Sequence, residues 1–401
     1  MKKTDPQRKN ILFLPRWYPD QSDPQNAVFI RKHALAAAKV ANISVIYVAP
    51  SHKERGLTVK KSGSSPDQLL EISWHYPPSA LPVLGKLVNI LRYLLGFLKC
   101  WKHLKKTGQR PVLIHAHMMT RQLVLARIFN IFQGIPYLVT EHWTGYRSGK
   151  FSAFPSWRKR LIKSLCKKAR CITVVSPALE EAMKKEGITG NYRLLGNVVD
   201  PPPANVDSFF KGSPKVIRLG SVADFYDKKK NVTGLLRSLA PFLRRRPDVQ
   251  FHLIGDGPDR PIVDDCLQQL ALPEEQVKRY GRLPNESVLQ FMKGIDLYIC
   301  FSNVETFSVA TAEALLAGKP VVCTASGGPE YFVDDRCGRV IPLRDGEALI
   351  EAIESLLGPD SSFDPVYAYR HIQEKYGIEA VSLEIKRLYD SILTVKQAAD
   401  D

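Results

Sequence analysis

At 401 residues the chain is too long for one ordinary hydrophobic core and suits two domains. Its 44% apolar and 24% charged residues are those of a soluble globular protein, and no stretch approaches the ~18 uninterrupted apolar residues of a spanning helix. A formal charge of +17 favours polyanions (nucleic acid, an anionic membrane or phosphorylated substrates) without choosing among them. The apolar run 11–14 is too short for a signal-peptide core, so the protein is expected to stay in the cytoplasm. Seven scattered cysteines form no CxxC and read as reduced and structural.

Residues 10–15 read as a first strand and 16–26 as a polar, proline-containing loop. Residues 28–40 read as a helix with Phe29, Ile30, Ala34 and Ala37 at helical spacing, and 43–49 as a second strand. This is the opening of a nucleotide-binding α/β domain, but it has no GxGxxG and so no dinucleotide signal. In residues 81–110, Leu84, Leu87, Val88, Leu91, Leu94, Leu95 and Leu98 recur at helical spacing, while Lys86, Arg92, Lys99, Lys102, Lys105 and Lys106 supply cations. A surface helix with a solvated basic face and a helix lying on an anionic bilayer are both open. Strands at 112–117 and 136–140 follow. His142 comes just past the second of these, at the strand end where α/β proteins bind ligands, whereas His115 and His117 are expected to be structural. Residues 147–170 form another basic, amphipathic stretch, with Trp157, Leu161, Ile162 and Leu165 as its apolar residues. Ser176-Pro177 has the cap-then-proline order of a helix start, and Pro201-Pro202-Pro203 is a stiff linker that marks the domain boundary.

The second half opens with a strand at 215–222, a loop containing Lys228, Lys229 and Lys230, and a helix at 233–243. A lysine just before a helix start can neutralise a diphosphate. A strand at 249–254 runs into Gly255-Asp256-Gly257, whose glycines permit close backbone approach, and a strand at 277–280 runs into Gly281-Arg282-Leu283. The apolar run 295–301 then leads through a loop into a helix at 308–317, stopped by Gly318 and Pro320. This places Glu305 in a strand-to-helix loop and Glu313 on the helix after it. A helix start presents unpaired N–H groups and a positive dipole end, which suits a phosphate facing Thr306, Phe307 and Ser308. Glu305 and Glu313 would accept hydrogen bonds from the hydroxyls of a sugar and a ribose. Ser326-Gly327-Gly328-Pro329-Glu330 repeats the pattern of small residues and an acid in the next loop. As a loop carboxylate, Glu305 is expected to carry little core load. Amphipathic helices are expected at 347–357 and 378–395.

With the Glu-x7-Glu pair of Glu305 and Glu313, Lys230-Asn231, Thr140-Glu141-His142 and the glycine turn at Gly255, the chain resembles the retaining glycosyltransferases of family 4. The resemblance implies the α/β GT-B fold, two Rossmann-like domains facing across a cleft. Residues 1–200 would be the acceptor side, 201–376 the nucleotide-sugar side, and 377–401 a helix crossing back. The implied reaction moves a sugar from a nucleoside-diphosphate-sugar to a hydroxyl acceptor with retention, in polysaccharide or glycolipid biosynthesis.

His142, Glu305 and Lys230 would then be catalytic. Asn26, Ala27, Ser221, Lys229, Gly255, Arg282, Leu283, Thr306, Phe307, Ser308, Val309 and Glu313 would bind the donor. Two positions depart from the family pattern. Asn26-Ala27 stands where relatives have glycine before the first helix, and Gly220-Ser221-Val222 lacks the usual arginine, for which Lys228 or Lys229 would compensate. With no Asp-x-Asp pair, neither a metal nor a cofactor is expected beyond the nucleotide-sugar. The expected partners are that donor, a saccharide or lipid-linked acceptor and an anionic membrane surface on the inner face of the cell membrane. No nucleic-acid-binding module appears. A nucleotide-sugar epimerase of the same fold and a non-catalytic sugar- or polyanion-binding subunit are the rival readings.

Overall fold

The computed structural model describes residues 8–62, 69–82, 84–119, 121–202, 209–210 and 216–400, with side chains described to residue 394. Pro203 of the expected linker and Lys215 of the expected strand lie outside these. Two compact units result, residues 1–198 with 378–401 and residues 199–377.

The N-terminal unit runs β1 (Asn10–Pro15), α1 (Val28–Ala38), β2 (Asn42–Pro50), β3 (Gly56–Ser62), β4 (Leu69–Tyr76), α2 (Gly85–Lys106), β5 (Leu113–His117), α3 (Arg121–Gln133), β6 (Tyr137–Glu141), α4 (Ser156–Lys168), β7 (Cys171–Val174), α5 (Pro177–Lys185) and β8 (Tyr192–Leu194). Its sheet order is β3-β4-β2-β1-β5-β6-β7-β8, parallel except for the β3–β4 pair. Strands such as Ile11 to Leu14 are buried throughout, as both faces of a parallel sheet are covered. The antiparallel edge strand β3, not foreseen in the sequence, carries Lys60 and Lys61, charges that suit an unpaired sheet edge. Ser176 caps α5 through its hydroxyl, which accepts from the Leu179 amide at 3.4 Å.

The C-terminal unit runs β9 (Ile217–Val222), the single turn α6 (Asp227–Lys230), α7 (Val232–Arg245), β10 (Val249–Ile254), α8 (Arg260–Leu270), β11 (Val277–Arg279), α9 (Asn285–Gly294), β12 (Leu297–Cys300), α10 (Val309–Leu316), β13 (Val321–Thr324), β14 (Gly338–Ile341), α11 (Gly346–Leu357) and α12 (Pro365–Tyr376). Its all-parallel sheet has the order β11-β10-β9-β12-β13-β14. The order reverses beside β9, so the ends of β9 and β12 flank the switch point at which such sheets bind ligands.

The last helix, α13 (Ile378–Asp400), belongs to the N-terminal unit and packs on α1. Val381, Ile385, Leu388 and Ile392 enter the core of that unit, and the Tyr389 hydroxyl lies 2.8 Å from Nδ1 of His115. Among the described residues no helix is long and apolar enough to cross a membrane.

Candidate active site

In the C-terminal unit the loops after β9 and β12 meet. The backbone amides of Asn303 and Val304 donate to the carbonyl of Lys229 at 2.7 and 3.1 Å, and the Lys230 ammonium donates to Glu305 Oε1 at 2.6 Å. Ser302 Oγ donates to the same oxygen at 2.8 Å, and the Glu305 amide is held by the carbonyl of Ser326 at 3.0 Å. Glu305 is only 7% exposed. The expectation that it carries little core load is therefore corrected: it is the buried counter-ion of Lys230. Burial acts to lower the Lys230 pKa, but the charge of Glu305, the Cys300 thiol and the hydrogen bond to Glu305 more than offset it. The net effect is a raised pKa and a retained positive charge.

The residue at the start of α10 is Ser308, at φ 70°, in the left-handed region. Its hydroxyl lies 2.7 Å from that of Thr311 and does not cap the helix. The first-turn amides, that of Val309 included, have no intrahelical acceptor by helix geometry. Two other helix starts share this conformation: Ala27 before α1 and Asn231 before α7, both at φ 50°. Left-handed non-glycine residues are strained, and such strain collects at functional loops. It also explains why a glycine would be favoured at position 27.

The remaining donor candidates divide by burial. Glu313 is buried on α10, Ser221 is buried on β9, and Thr306 is half-buried. Phe307 packs into the core against Phe332 and Tyr376, with ring centroids 5.3 and 4.9 Å apart, so only its backbone faces the loop. Gly328 fits closely over that backbone, since a Cβ there would come 2.7 Å from the Phe307 nitrogen. Glu330 accepts from the amides of Gly327 and Gly328 and so braces its own loop. Gly255, at φ 153°, leaves no room for a side chain: a Cβ would meet the Ala223 carbonyl at 1.9 Å. Its amide donates to the Gly281 carbonyl at 2.9 Å. Arg282 is exposed and 3.6 Å from Asp224, Leu283 is half-buried beside it, and the Lys229 ammonium lies 5.7 Å from the Tyr226 ring.

In the N-terminal unit, His142 follows β6 and is buried beside His117 and His33. Nε2 of His142 is 3.4 Å from Nδ1 of His117, and the His33 and His142 rings are 5.4 Å apart. Burial, reinforced by the neighbouring imidazoles, holds His117 and His142 well below the usual histidine range. Burial also lowers His33 to about 4, against a hydrogen bond from its Nε2 to the Gly196 carbonyl at 3.1 Å. All three are neutral at pH 7, as metal ligands must be. Their candidate ligand atoms lie within 4.8 Å of one another, looser than the ~3.3 Å edge implied by the Zn–N lengths of a tetrahedral site. His115 is tied to Tyr389 and Thr140 and is structural.

Two features here escaped the sequence reading. Glu141 is fully buried and accepts from the amides of Met119, His142 and Trp143 at 2.9–3.0 Å, which fixes the loop that presents His142. Beside α1 lies a cavity of about 370 Å³, lined among others by Tyr18, Asp20, Arg31, Tyr47, Glu71 and His75. In it, Tyr18 and Arg31 donate to Glu71 Oε1 at 2.7 and 2.9 Å, while Ser62 donates to Oε2 at 2.5 Å. Asn26 closes the loop above α1, its side-chain amide donating to the Tyr18 carbonyl at 3.4 Å.

Comparison with known proteins gives a consistent picture. The family described as Glycosyltransferase Family 4 matches residues 29–202, and that described as Glycosyl transferases group 1 matches residues 215–358. TuaC of Bacillus subtilis (strain 168), named as a glycosyltransferase of teichuronic acid biosynthesis, is 26% identical over 361 residues, covering 86% of this chain and 88% of TuaC. Among solved structures, sucrose-phosphate synthase from Thermosynechococcus elongatus superposes with a TM-score of 0.73 at 18% identity, over 97% of this chain and all of that one. HepE from Anabaena, in complex with UDP and glucose, superposes with a TM-score of 0.67 at 17% identity, over 96% of this chain and all of HepE.

Proposed function

Because the chain belongs to the group 1, family 4 glycosyltransferases, with the GT-B fold, we propose that it moves a sugar from a nucleoside-diphosphate donor to a hydroxyl with retention. The observation that carries this reading is the buried Lys230–Glu305 pair beside the open start of α10. The costly charge of such a transfer is the departing diphosphate. The Lys230 cation and the first-turn amides of α10 are preorganised donors for it. Pairing with Glu305 keeps Lys230 positive before the donor arrives. Glu305 would in turn accept from sugar hydroxyls, and Glu313 from the ribose. Backbone groups near Gly255, Arg282 and Leu283 would hold the base, and Ser221, Lys229 and Thr306 would line the phosphates. HepE solved with UDP supports a uridine nucleotide as the first donor to test. No metal is invoked.

The acceptor reading rests on the N-terminal unit. Neutral, buried His142 suits a contact to the transferred sugar. The cavity beside α1, with its tyrosine rings and carboxylates, has the chemistry of a saccharide subsite. A saccharide or lipid-linked acceptor, used at the cytoplasmic face of an anionic membrane, fits both this cavity and the basic helices.

The test is a thermal-shift panel of UDP, GDP, ADP, CMP and their sugar conjugates on wild type and Glu305→Gln. A donor at 100-fold excess over its dissociation constant should add about 2.7 kcal/mol of stability. A shift with one sugar-nucleotide, weakened in the variant, supports the site. The same shift in both proteins removes Glu305 from it.

A further inference from the structure

The leucines in the first four turns of α2 do not face the core. The buried side of α2 is Tyr93, Gly96, Phe97, Cys100 and Leu104, with Gly96 seated against Trp74, where a Cβ would come within 2.3 Å of the ring. On the other side, Leu84, Leu87, Ile90, Leu91, Leu94, Leu95 and Leu98 are 41–61% exposed. They form a stripe about 21 Å long at 1.5 Å rise per residue. Seven large apolar side chains together are not the scattered exposure of an ordinary surface. The last two turns replace leucine with Lys102, Lys105 and Lys106.

The neighbouring helices extend the same face. The connections β4–α2–β5, β5–α3–β6 and β6–α4–β7 step along the sheet in one direction, so right-handed crossovers put α2, α3 and α4 on one side of it. Phe129 of α3 packs against Trp101 and Phe97 of α2, and α3 packs against α4. On α3, Phe132 is 79% exposed, with Ile128 and Ile131 beside it, and on α4 Trp157 is 66% exposed. Between Ile72 and Leu179 the chain has 18 Lys and Arg and one acidic residue, Glu141, which is buried. That one stretch accounts for the whole formal excess of +17.

We propose that the α2–α3–α4 face docks on an anionic lipid bilayer. The leucine stripe would lie in the headgroup–acyl boundary, and the lysines of α2 and α4 would lie over the lipid phosphates. An apolar stripe flanked by cations with long stems is what such an interface takes up. Charge disfavours a second copy of this chain as occupant, because two acid-free faces would repel. An acidic protein would match the lysines but leave a 21 Å leucine stripe needing an apolar groove. The inference deepens the proposed function by giving a lipid-linked acceptor a route to the N-terminal unit. It does not depend on which sugar is moved.

The experiment is vesicle flotation of the full chain with phosphatidylcholine alone and with phosphatidylcholine plus phosphatidylglycerol, at about 0.15 M and ~1 M salt. The variants are Leu91→Asp with Leu95→Asp, and Lys102→Glu with Lys105→Glu, all at exposed positions. Wild type should float with the anionic vesicles and dissociate at high salt. The lysine variant should bind at least ten-fold more weakly, since each basic group near the surface changes binding by about five-fold. The leucine variant should bind at least as weakly. Analytical ultracentrifugation run alongside should show no mass change between wild type and the leucine variant. Equal flotation with neutral vesicles, retention of binding in either variant, or a wild-type dimer that the leucine variant abolishes would each overturn the proposal. Donor-induced thermal shifts in the same variants separate the two readings: a preserved shift with lost flotation leaves the donor site standing whatever the fate of the membrane face.

Discussion

Lys230 Nζ and Glu305 Oε1 lie 2.6 Å apart, although the residues are 75 positions apart in the chain. The pair joins the loop after β9 to the loop after β12, at the reversal of strand order. It is a structural bond and a candidate catalytic device at once. Removing either partner therefore has two separable effects.

Glu305→Ala should abolish transfer and also lower stability by about 1–3 kcal/mol. It leaves the Lys230 ammonium, a quarter exposed, without its counter-ion. Glu305→Gln keeps the shape and should lose less stability with a comparable loss of turnover. Urea unfolding and donor turnover on the two variants check this. Full activity in the glutamine variant would contradict the site.

Lys230→Met tests the cation by pH. The folded-state pKa of Lys230 is raised, so its contribution to stability is fully present below the unfolded value of about 10.4 and is lost as pH rises through the higher folded value. Wild type should lose stability above about pH 10.4 more steeply than the variant, measured by urea midpoints across the alkaline range. Parallel curves would mean that the pair contributes nothing.

The buried histidines predict acid sensitivity. His33, lowered to about 4, and His115, His117 and His142, held well below the usual histidine range by burial, take up protons in the unfolded chain before the folded one. Stability should therefore fall as pH drops below about 6.5, by up to ~1.4 kcal/mol per pH unit for each histidine. For His33 the loss should be complete near pH 4. His33→Phe should flatten the profile, as read by melting temperature between pH 7 and 5.

Ala27→Gly should stabilise the chain by about 1 kcal/mol. Ala27 sits at φ 50°, where an L side chain is strained and glycine is not. Differential scanning calorimetry reads the shift, and a lower melting temperature would show that the Ala27 methyl contact with the core outweighs the strain.

Glu141→Gln should act on His142 at a distance. One amide oxygen cannot replace two carboxylate oxygens that hold three backbone amides. Acceptor KM should rise, while thermal shifts induced by the sugar-free nucleotide UDP, which offers His142 no sugar, stay as in wild type. An altered UDP shift would argue for general misfolding instead.

The strand–loop–helix around Glu305 was legible because its signals are local. The apolar run of β12, the Gly318–Pro320 stop and the spacing of Glu305 and Glu313 each lie within about twenty residues. The edge pair β3–β4 and helix α12 were not read: β3 and α12 are largely polar and carry weak periodic signals, and β4 is buried on both faces and does not alternate. Phe307 was read as part of the phosphate loop. Its ring packs on Phe332 and on Tyr376, the latter brought to α10 by α12, a long-range contact that local signals do not carry.

The sequence by itself determines the alternation of strand and helix, the placement of Glu305 and His142 just past strand ends, of Lys230 just before a helix start and of Glu313 on a helix, and the positive charge of the first half. These follow from periodicity, helix punctuation and counting, all properties of neighbouring residues. Tertiary structure alone decides that Glu305 is paired with Lys230, that Glu141 braces His142, and that His33, His117 and His142 meet. It also decides that Leu87, Leu91, Leu94, Leu95 and Leu98 of α2 face outward while Leu104 is buried. Helical spacing shows which side chains share a face, but α2 has an apolar face on each side. Only the fit of Gly96 against Trp74 selects the one that is buried.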